Sequence, residues 1–363
     1  MPTAAVHSIR GNLSTKRFAF TLAALLTASL LITGCGARTA EPARYEKTFF
    51  DAFDTVTTVI VYDTSEKNAE AVLTRAHELL SEYHKLYDIY YAYDGMNNLY
   101  TVNQSAGGAP VTVDARIIDL LKFAKEMDVL TNGGTNVAMG CVTELWRVCR
   151  EAGVEDPAHA ALPAEEELTR AARHTNIEDV LIDESASTVQ LADPEMLLDV
   201  GAIAKGYAVQ QVLETLKSEG VASLLISAGG NVAAIGTRPD GTSWKVGIQD
   251  PYSGGYLCAV NVDGMCLVTS GTYERYYTVD GKRYHHIIDP NTLYPSAYYD
   301  SVSVLCADSG LADALTTGLF SMPLEQGQAL VASLDGVEAF WILPDGTQVM
   351  SAGFGAFIIQ TTD

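Results

Sequence analysis

Oxygen-bearing side chains lie close together in the stretch 312–317, which contains Asp313, Thr316 and Thr317. On a helix, residues three and four positions apart share a face, so a carboxylate and a hydroxyl would point toward one place. Hard oxygen donors of this kind suit Mg²⁺ or Ca²⁺ and not a soft metal. A structural role is the alternative, in which Asp313 stabilises a helix N-terminus and Thr317 bonds back to a carbonyl. The spacing alone leaves both interpretations open.

A second group of chemically useful residues surrounds the start of a predicted helix, with Asp199, Gly201, Lys205 and Gly206 within one short turn. Asp199 could cap the helix, or it could accept hydrogen bonds from a ring N–H or a ribose hydroxyl. Lys205 could be a solvated surface residue, but its small neighbours leave its ammonium room to reach a bound phosphate. The turn therefore has a structural and a ligand-binding interpretation.

Small or polar residues form two further turns after apolar runs, at 132–140 and 227–231. Any one such turn is explained simply by tight backbone geometry, for which glycine is the usual residue. Three turns in one chain favour a shared ligand cleft, in which exposed backbone N–H groups could receive an anion such as a phosphate.

Two adjacent histidines, His285 and His286, follow a predicted strand. Imidazole titrates near neutral pH and can take a proton from a hydroxyl, so one of them could be a general base. Adjacent side chains on a strand point to opposite faces, which disfavours a zinc site made from both. We expect one histidine to face a cleft and the other to face away.

The elements that must position these residues follow from the hydrophobic pattern. The predicted strands are 56–62, which would open the fold, 180–182, 188–191, 223–227, 244–248, 257–262, 266–270, 276–279 and 301–305. The predicted helices are 66–83, 114–130, 164–173, 201–219, 311–321 and 324–334, and 151–163 is predicted to be a surface excursion. Antiparallel strands mixed with packed helices, without regular βαβ alternation, predict an α+β fold.

The N-terminal 34 residues are predicted to be a processing segment, because three cations precede an apolar run that is too short for an ordinary spanning helix. The run ends in Ile-Thr-Gly-Cys, a tetrad that resembles a bacterial lipobox, in which the thiol of Cys35 receives a lipid. We expect a lipoprotein signal peptide at 1–34, a flexible tether at 35–44 that starts at the lipidated Cys35, and a folded domain at 45–363. A plain membrane anchor or a chance cysteine is the alternative.

The formal net charge of −22 over 363 residues argues against a nucleic-acid partner and against binding an anionic membrane by charge. An anionic ligand would need a metal ion or local cations to screen this charge. The other cysteines show no zinc-binding spacing, and they are Cys141, Cys149, Cys258, Cys266 and Cys306. Cys258 and Cys266 could face each other across a hairpin as a disulfide, but buried thiols that act as small hydrophobes are the favoured interpretation.

Taken together, these stretches resemble the FAD:protein FMN transferase family, the ApbE-type lipoproteins. The matching segments occur in family order over nearly the whole chain after the tether, at 53–55, 132–146, 199–207, 229–231, 269–275, 286–290 and 312–317. The resemblance implies an α+β, ApbE-type fold in which antiparallel sheets are packed by helices. It also implies an FAD cleft between two interlocked subdomains.

The resemblance also assigns roles to individual residues. It implies a Mg²⁺ site made by the backbone carbonyl of Ala202 with Asp313 and Thr317, and with Thr316 adjacent. It implies His286 as the base. The implied flavin contacts are Phe53, Tyr90, Gly134, Thr135, Asn136, Asp199, Lys205 and Ile287. The chain departs from the common family pattern at Phe53-Asp54 and Thr135-Asn136, and Tyr93 is an alternative to Tyr90.

The activity implied by the resemblance is Mg²⁺-dependent transfer of the FMN moiety of FAD to a Thr or Ser hydroxyl of an acceptor protein, with release of AMP. The implied acceptors are subunits of membrane electron-transfer complexes that carry a Thr/Ser flavinylation motif. The lipid anchor would place the enzyme on the extracytoplasmic face of the bacterial cell membrane. Two alternatives are a Mg²⁺-dependent FAD pyrophosphatase, which yields FMN and AMP, and a non-catalytic flavin-binding or solute-binding lipoprotein.

Overall fold

An eight-stranded antiparallel sheet forms the centre of the computed structural model, which describes residues 41–359. The strands are β1 (Ala43–Ala52), β2 (Thr55–Asp63), β3 (Val111–Thr112), β4 (Val180–Asp183), β5 (Thr188–Leu191), β6 (Leu224–Ala228), β7 (Asn231–Ile235), β8 (Trp244–Gln249), β9 (Tyr256–Val262), β10 (Cys266–Gly271), β11 (Tyr276–Val279), β12 (Lys282–His285), β13 (Ser301–Cys306), β14 (Glu338–Ile342) and β15 (Gln348–Met350). The central sheet has the order β1-β2-β6-β7-β10-β13-β14-β15.

Smaller sheets and α-helices surround the central sheet. The smaller sheets pair β11 with β12, β8 with β9, and β3-β5-β4 in that order. The helices are α1 (Glu66–Tyr87), α2 (Leu99–Gln104), α3 (Ala115–Leu130), α4 (Gly140–Glu155), α5 (Glu165–Ala171), α6 (Ala204–Ser218), α7 (Ser309–Phe320) and α8 (Leu324–Ala332). Antiparallel pairing with helices packed around it confirms the predicted α+β fold.

The two faces of the central sheet are covered differently. Along β6, Leu224 and Ile226 belong to a core shared with α1, α6 and α7, whereas Leu225 belongs to a second core shared with the β8–β9 ribbon. Successive strand residues point to opposite faces, so one short apolar strand serves both cores. The layers are therefore helices, sheet and ribbon.

A third apolar cluster joins α4 and α5 to the β11–β12 hairpin, and its members include Val142, Trp146 and Tyr277. Gly153 of α4 allows close packing, since a Cβ at that position would lie 2.7 Å from the Tyr277 ring. The indole N–H of Trp146 donates to the carbonyl of Leu293 at 2.8 Å. This packing fixes α4 against the hairpin that carries the two adjacent histidines.

Most predicted elements are present within a few residues of their expected ends, but the structure has eight that the sequence pattern did not predict: β1, β3, β7, β12, β14, β15, α2 and α4. The prediction that 56–62 opens the fold is wrong, because β1 precedes it and begins at Ala43, within the predicted tether. β1 is an edge strand whose side chains are mostly exposed, so it lacks the apolar alternation that marks a strand. α4 was also missed, and its last turn occupies the start of the predicted surface excursion at 151–163.

The alternative in which Cys258 and Cys266 face each other across a hairpin is wrong. Cys258 on β9 lies opposite Ile248, whereas Cys266 on β10 lies opposite Cys306 on β13, with 3.9 Å between the two sulfur atoms. All five cysteines within the described part of the chain are free thiols, and Cys266 and Cys306 are buried. The interpretation of buried thiols as small hydrophobes holds for this pair.

The predicted signal peptide at 1–34, Cys35 and most of the tether lie outside the described residues. Across residues 41–359, no helix combines the length and the apolar character needed to cross a bilayer.

Candidate active site

A cleft of about 670 Å³ lies between the helix-covered side of the central sheet and the third apolar cluster. Its walls include Val200 and Ala204 from the core that the central sheet shares with α1, α6 and α7, and Met139 and Ile288 from the third apolar cluster. The predicted cleft is therefore present, and it lies within the one compact unit that begins at Pro42, while the division into two interlocked subdomains stays a prediction. The predicted site residues that line it are Phe53, Tyr90, Gly134, Asn136, Asp199, Ala202, Lys205, His286, Ile287, Asp313 and Thr317, whereas Thr135 and Thr316 do not.

Asp313 lies in the second turn of α7, where it is 6% exposed. One carboxylate oxygen accepts the N–H of Gly206 at 2.7 Å, and the other lies 3.3 Å from the ammonium nitrogen of Lys205. The N-cap of α7 is Asp308, whose carboxylate accepts the N–H of Leu311. The helix-end role that the sequence left open for Asp313 therefore belongs to Asp308.

The backbone carbonyl of Ala202 lies just before α6, which begins at Ala204 and not near Gly201 as predicted. In a regular helical turn, the N–H of Gly206 would donate to this carbonyl, four residues earlier. Here that N–H donates to Asp313, and no donor within residues 41–359 reaches the Ala202 carbonyl. The carbonyl oxygen is thus left available at the cleft wall.

The two threonines of α7 have different surroundings. Thr316 is fully buried, donates to the carbonyl of Asp313 at 2.8 Å and accepts the hydroxyl of Ser270 at 2.9 Å. Thr317 lines the cleft, and its hydroxyl has no hydrogen-bond partner in the described part of the chain. The back-bonded role that the sequence left open for Thr317 is therefore taken by Thr316.

The donor set at this end of the cleft fits a hard cation. The carbonyl of Ala202, the carboxylate of Asp313 and the hydroxyl of Thr317 are all oxygen donors, as Mg²⁺ prefers. No group of three or more His, Cys, Asp or Glu side chains suited to a metal occurs among residues 41–359. A cation bound here would therefore depend on one carboxylate supplemented by neutral oxygens.

Gly206 is required for this arrangement, because a Cβ there would lie 2.4 Å from both the Cβ of Asp313 and the carbonyl oxygen of Ser309. We expect Gly206→Ala to cost roughly 1–3 kcal/mol of unfolding free energy and to weaken Mg²⁺ binding, since the added methyl must displace α7. Urea denaturation and Mg²⁺ titration measure the two effects. Gly327→Ala in α8 is the control, because its methyl meets only side chains at 3.3 Å or more; equal stability of the two variants would contradict the packing argument.

Asp199 is held by the turn that precedes α6. Its carboxylate accepts the N–H of Gly201 at 2.9 Å and the hydroxyl of Thr143 at 2.7 Å. The N-cap of α6 is Ile203, which has no side-chain cap. Asp199 therefore does not cap the helix, and its carboxylate is fixed at the cleft wall by α4 and its own turn.

The two histidines face different surroundings, as the alternation along a strand predicted. His285 is buried, with Nε2 at 2.8 Å from the carbonyl of Ser296 and Nδ1 accepting the N–H of Ile287. His286 lines the cleft, and its Nδ1 lies 3.2 Å from the carbonyl of Arg275. Since a carbonyl can only accept, Nδ1 of His286 carries the proton, and Nε2 is the nitrogen with a free lone pair.

His286 is held in its neutral form. Burial lowers its pKa from 6.5 to about 3, and the positive charges of Arg275 and Arg150 and the neighbouring His285 add to the effect. A neutral imidazole whose Nδ1 is fixed by a carbonyl can accept a proton at Nε2. This is the state that a general base needs before the reaction.

The lowered pKa of His286 predicts a pH effect on stability. Below pH 6.5 the unfolded chain binds a proton at this histidine, whereas the folded protein does not do so until about pH 3. The free energy of unfolding should therefore fall as the pH is lowered through this window. We expect His286→Asn to show a weaker dependence in urea denaturation between pH 7 and 4; parallel curves for the two proteins would contradict this.

Aromatic residues also line the cleft. Tyr90 lies in the wall, with the guanidinium of Arg147 at 5.3 Å from its ring centre. The hydroxyl of Tyr93 donates to Asp88 instead, and Tyr93 is not among the lining residues. The geometry therefore favours Tyr90 as a stacking surface for a planar ligand.

Phe53 enters the cleft from the turn between β1 and β2. Both Phe53 and Asp54 have positive φ angles, 56° and 48°, so the turn has the backbone of a type I′ hairpin without glycine. The N–H of Phe53 donates to His84 at 3.3 Å. The turn thus places the ring of Phe53 in the cleft wall, although positive φ angles are unfavourable for most residues other than glycine.

Thr135 and Asn136 stabilise the loop after α3. The hydroxyl of buried Thr135 donates to the carbonyl of Ala314 at 2.7 Å, which fastens the loop to α7. The side chain of Asn136 accepts the N–H of Ala138 and donates to the carbonyl of Thr175. Both side chains are engaged within the loop, so a ligand would meet mainly the backbone here.

The sequence interpretation assigned no role to Thr143, Arg150 or Arg275, although all three line the cleft. Thr143 and Arg150 are seven positions apart in α4, with Arg147 between them, and such spacing places all three on one helix face. This periodicity was the available signal, and it was missed because α4 itself was not predicted.

The ApbE family model matches residues 53–341. A protein named FAD:protein FMN transferase from Klebsiella pneumoniae (strain 342) is 34% identical over 286 residues, which cover 78% of this chain and 85% of the relative. A protein of the same name from Treponema pallidum (strain Nichols) is 37% identical over 271 residues, covering 70% of this chain and 73% of the relative.

Solved structures share the fold. The crystal structure of the ApbE protein from Thermotoga maritima has a TM-score of 0.77 and 28% identity, and the match covers 88% of this chain and all of that one. The flavin transferase ApbE from Vibrio cholerae has a TM-score of 0.73 and 26% identity, covering 87% of this chain and 99% of the other.

Proposed function

This chain belongs to the ApbE family, and we propose that it is an enzyme that transfers the FMN moiety of FAD to a Thr or Ser hydroxyl of an acceptor protein and releases AMP. Relatives across the matched length are named FAD:protein FMN transferases. The observation that carries the proposal is that one cleft contains a neutral His286 with a free Nε2 together with the oxygen donors Ala202, Asp313 and Thr317.

Mg²⁺ would be held by the Ala202 carbonyl, the Asp313 carboxylate and the Thr317 hydroxyl, because these oxygens fit a hard cation and no nitrogen or sulfur donor competes among them. When bound, Mg²⁺ supplies positive charge against the pyrophosphate and the leaving AMP. The chain has a net charge of −22, so an anionic substrate needs such local compensation. Lys205, which lies 3.3 Å from Asp313, adds a second positive charge at this end of the cleft.

The chemistry that we assign to His286 is proton removal from the acceptor hydroxyl. The proton moves to Nε2 while the hydroxyl oxygen bonds to the phosphorus nearest riboflavin, and the bond from that phosphorus to the AMP oxygen breaks. The carbonyl of Arg275 stabilises the imidazolium that forms, because it accepts the hydrogen bond from Nδ1. Positioning and charge compensation supply most of the acceleration in such phosphoryl transfers.

The location and the acceptor belong to the same proposal. A lipid attached to Cys35 would hold the enzyme on the extracytoplasmic face of the bacterial cell membrane, where subunits of membrane electron-transfer complexes with a Thr/Ser flavinylation motif would be its acceptors. The support is the lipobox-like tetrad at 32–35, together with the family resemblance. Two lipid chains suffice for stable anchoring.

The deciding experiment incubates the purified protein with FAD, Mg²⁺ and an acceptor domain that bears the motif. We expect flavin fluorescence on the acceptor band of a denaturing gel, and none when the target hydroxyl is removed by a Thr→Ala change or when Mg²⁺ is chelated. Free FMN and AMP with an unlabelled acceptor would identify a pyrophosphatase instead. Intact FAD after long incubation would identify a binding protein without catalysis.

A further inference from the structure

Two arginines in the cleft have no carboxylate partner within residues 41–359. The side chain of Arg150 makes no hydrogen bond there, and the guanidinium of Arg275 reaches only the carbonyl of Asp54, at 3.4 Å. Arg147, one turn away on the same face of α4, is by contrast bound by both Glu144 and Glu151. The missing partners are notable in a chain whose 45 acidic residues outnumber its 23 basic ones.

The fold forces these two arginines together. α4 packs on the β11–β12 hairpin through Gly153 and Tyr277, which brings Arg150, three residues before Gly153, near the start of β11, and Arg275 immediately precedes that strand. The pKa of Arg150 is lowered, first by burial and then by the charge of Arg275. Two guanidinium groups that share a partly buried wall repel each other unless an anion lies between them.

The position of the arginine pair relative to the base indicates which anion this is. Arg150, Arg275 and His286 line the same cleft, and the charges of both arginines lower the pKa of His286, so the pair lies near the base that an incoming hydroxyl must approach. The phosphates of FAD are served by Lys205 and the oxygen donors near Asp313, which are a separate set of residues. The hydroxyl belongs to the acceptor, so residues near it in the acceptor sequence come within reach of the arginines.

We propose that Arg150 and Arg275 bind a carboxylate of the acceptor polypeptide and thereby select an acidic sequence beside the hydroxyl that receives FMN. This inference rests on the proposed transferase function. The planar guanidinium matches a carboxylate through two parallel hydrogen bonds, which gives both affinity and orientation. The positive charge of the arginine pair also attracts an acidic segment that the net negative charge of the protein would otherwise repel.

The test compares Arg150→Met with Arg173→Met in the otherwise unchanged protein. Arg173 is exposed on the short helical turn after α5 and does not line the cleft, so its replacement removes the same charge. For Arg150→Met we expect kcat/KM for the acceptor domain to fall about 10- to 100-fold, mainly through KM, with unchanged FAD affinity by fluorescence quenching. The kcat/KM of Arg150→Lys for the acceptor domain should lie between those of Arg150→Met and Arg173→Met. Thermal denaturation checks that each variant folds.

A charge exchange makes the test specific. An acceptor domain whose acidic residues near the target hydroxyl are changed to Lys should react poorly with the unmodified enzyme and better with Arg150→Glu. If Arg150→Met instead weakens FAD binding and leaves the acceptor KM unchanged, the pair binds a phosphate of FAD and the proposal is wrong. The proposal is equally wrong if Arg150→Met behaves like Arg173→Met.

Binding of an unreactive acceptor separates this inference from the proposed function. The acceptor domain with its target Thr changed to Ala is titrated into each variant by calorimetry in the presence of FAD and Mg²⁺. Weaker binding to Arg150→Met than to Arg173→Met supports the carboxylate site even if no FMN is transferred, whereas equal binding overturns it. Absence of labelling by the unmodified enzyme contradicts the transferase proposal alone.

Discussion

Replacing Asp313 by Asn is expected to reduce Mg²⁺-dependent turnover of FAD by about a thousandfold or more, because the only carboxylate in the donor set loses its charge while a shape close to the original remains. Asn keeps a carbonyl oxygen that can accept the N–H of Gly206, which Asp313 accepts at 2.7 Å. The fold should therefore survive, and steady-state FAD consumption with titrated Mg²⁺ measures the loss. Calorimetric titration of the protein with Mg²⁺ provides a second readout that does not depend on turnover.

The neighbouring threonines supply the controls for Asp313→Asn. Thr317→Val should weaken Mg²⁺ binding, because the hydroxyl that faces the cleft is removed, whereas Thr316→Val should mainly reduce stability, because its hydroxyl bonds to Asp313 and Ser270. Normal Mg²⁺ affinity in Asp313→Asn would remove this residue from the metal site. Equal effects of the two threonine variants on Mg²⁺ affinity would contradict the distinction drawn from their burial.

Local spacing explains why part of this site was predictable from the sequence. Asp313 and Thr317 are four residues apart on one helix, so their shared face follows from helical geometry alone. The choice between Thr316 and Thr317 does not follow, since both spacings place a hydroxyl near the carboxylate. It depends on Ser270 of β10, which lies 46 positions earlier and occupies the Thr316 hydroxyl.

The histidine pair shows the same limit. Alternation along a strand predicts that one of His285 and His286 faces a cleft, but it cannot say which. The packing of His285 against Phe320 and its hydrogen bond to the carbonyl of Ser296 decide the matter. These contacts are made by parts of the chain that the local pattern does not contain.

Backbone groups and weakly patterned elements escaped prediction for other reasons. The carbonyl of Ala202 has no side-chain signature, so the sequence could assign it only through a family resemblance. β1 is exposed along most of its length, and α4 begins at a glycine that tertiary packing requires, since a Cβ at Gly140 would lie 2.3 Å from the carbonyl oxygen of Leu197. Arg150 reaches the cleft only through the position of α4, so its place in the cleft wall could not be predicted without that helix.

The second large effect is expected at His286. His286→Asn should slow FMN transfer by about a hundred- to ten-thousandfold, because the variant has no group that can accept the proton of the acceptor hydroxyl. The amide of Asn can still donate to the carbonyl of Arg275, so FAD affinity should be unchanged; a loss of FAD binding by the same factor would instead indicate a structural role. Added imidazole should partly restore transfer in His286→Ala, which leaves space for it.

The pH dependence of the unmodified enzyme tests the same assignment of the base. Because the pKa of His286 is lowered to about 3, the free enzyme keeps a neutral base well below pH 6.5, and kcat/KM should show no acid limb near the ordinary histidine value. An acid limb centred at pH 6.5 that disappears in His286→Asn would show that burial and the arginine charges do not suppress protonation of His286 in solution. Arg150→Met removes one of the charges that lower this pKa, so any acid limb should move toward higher pH in that variant.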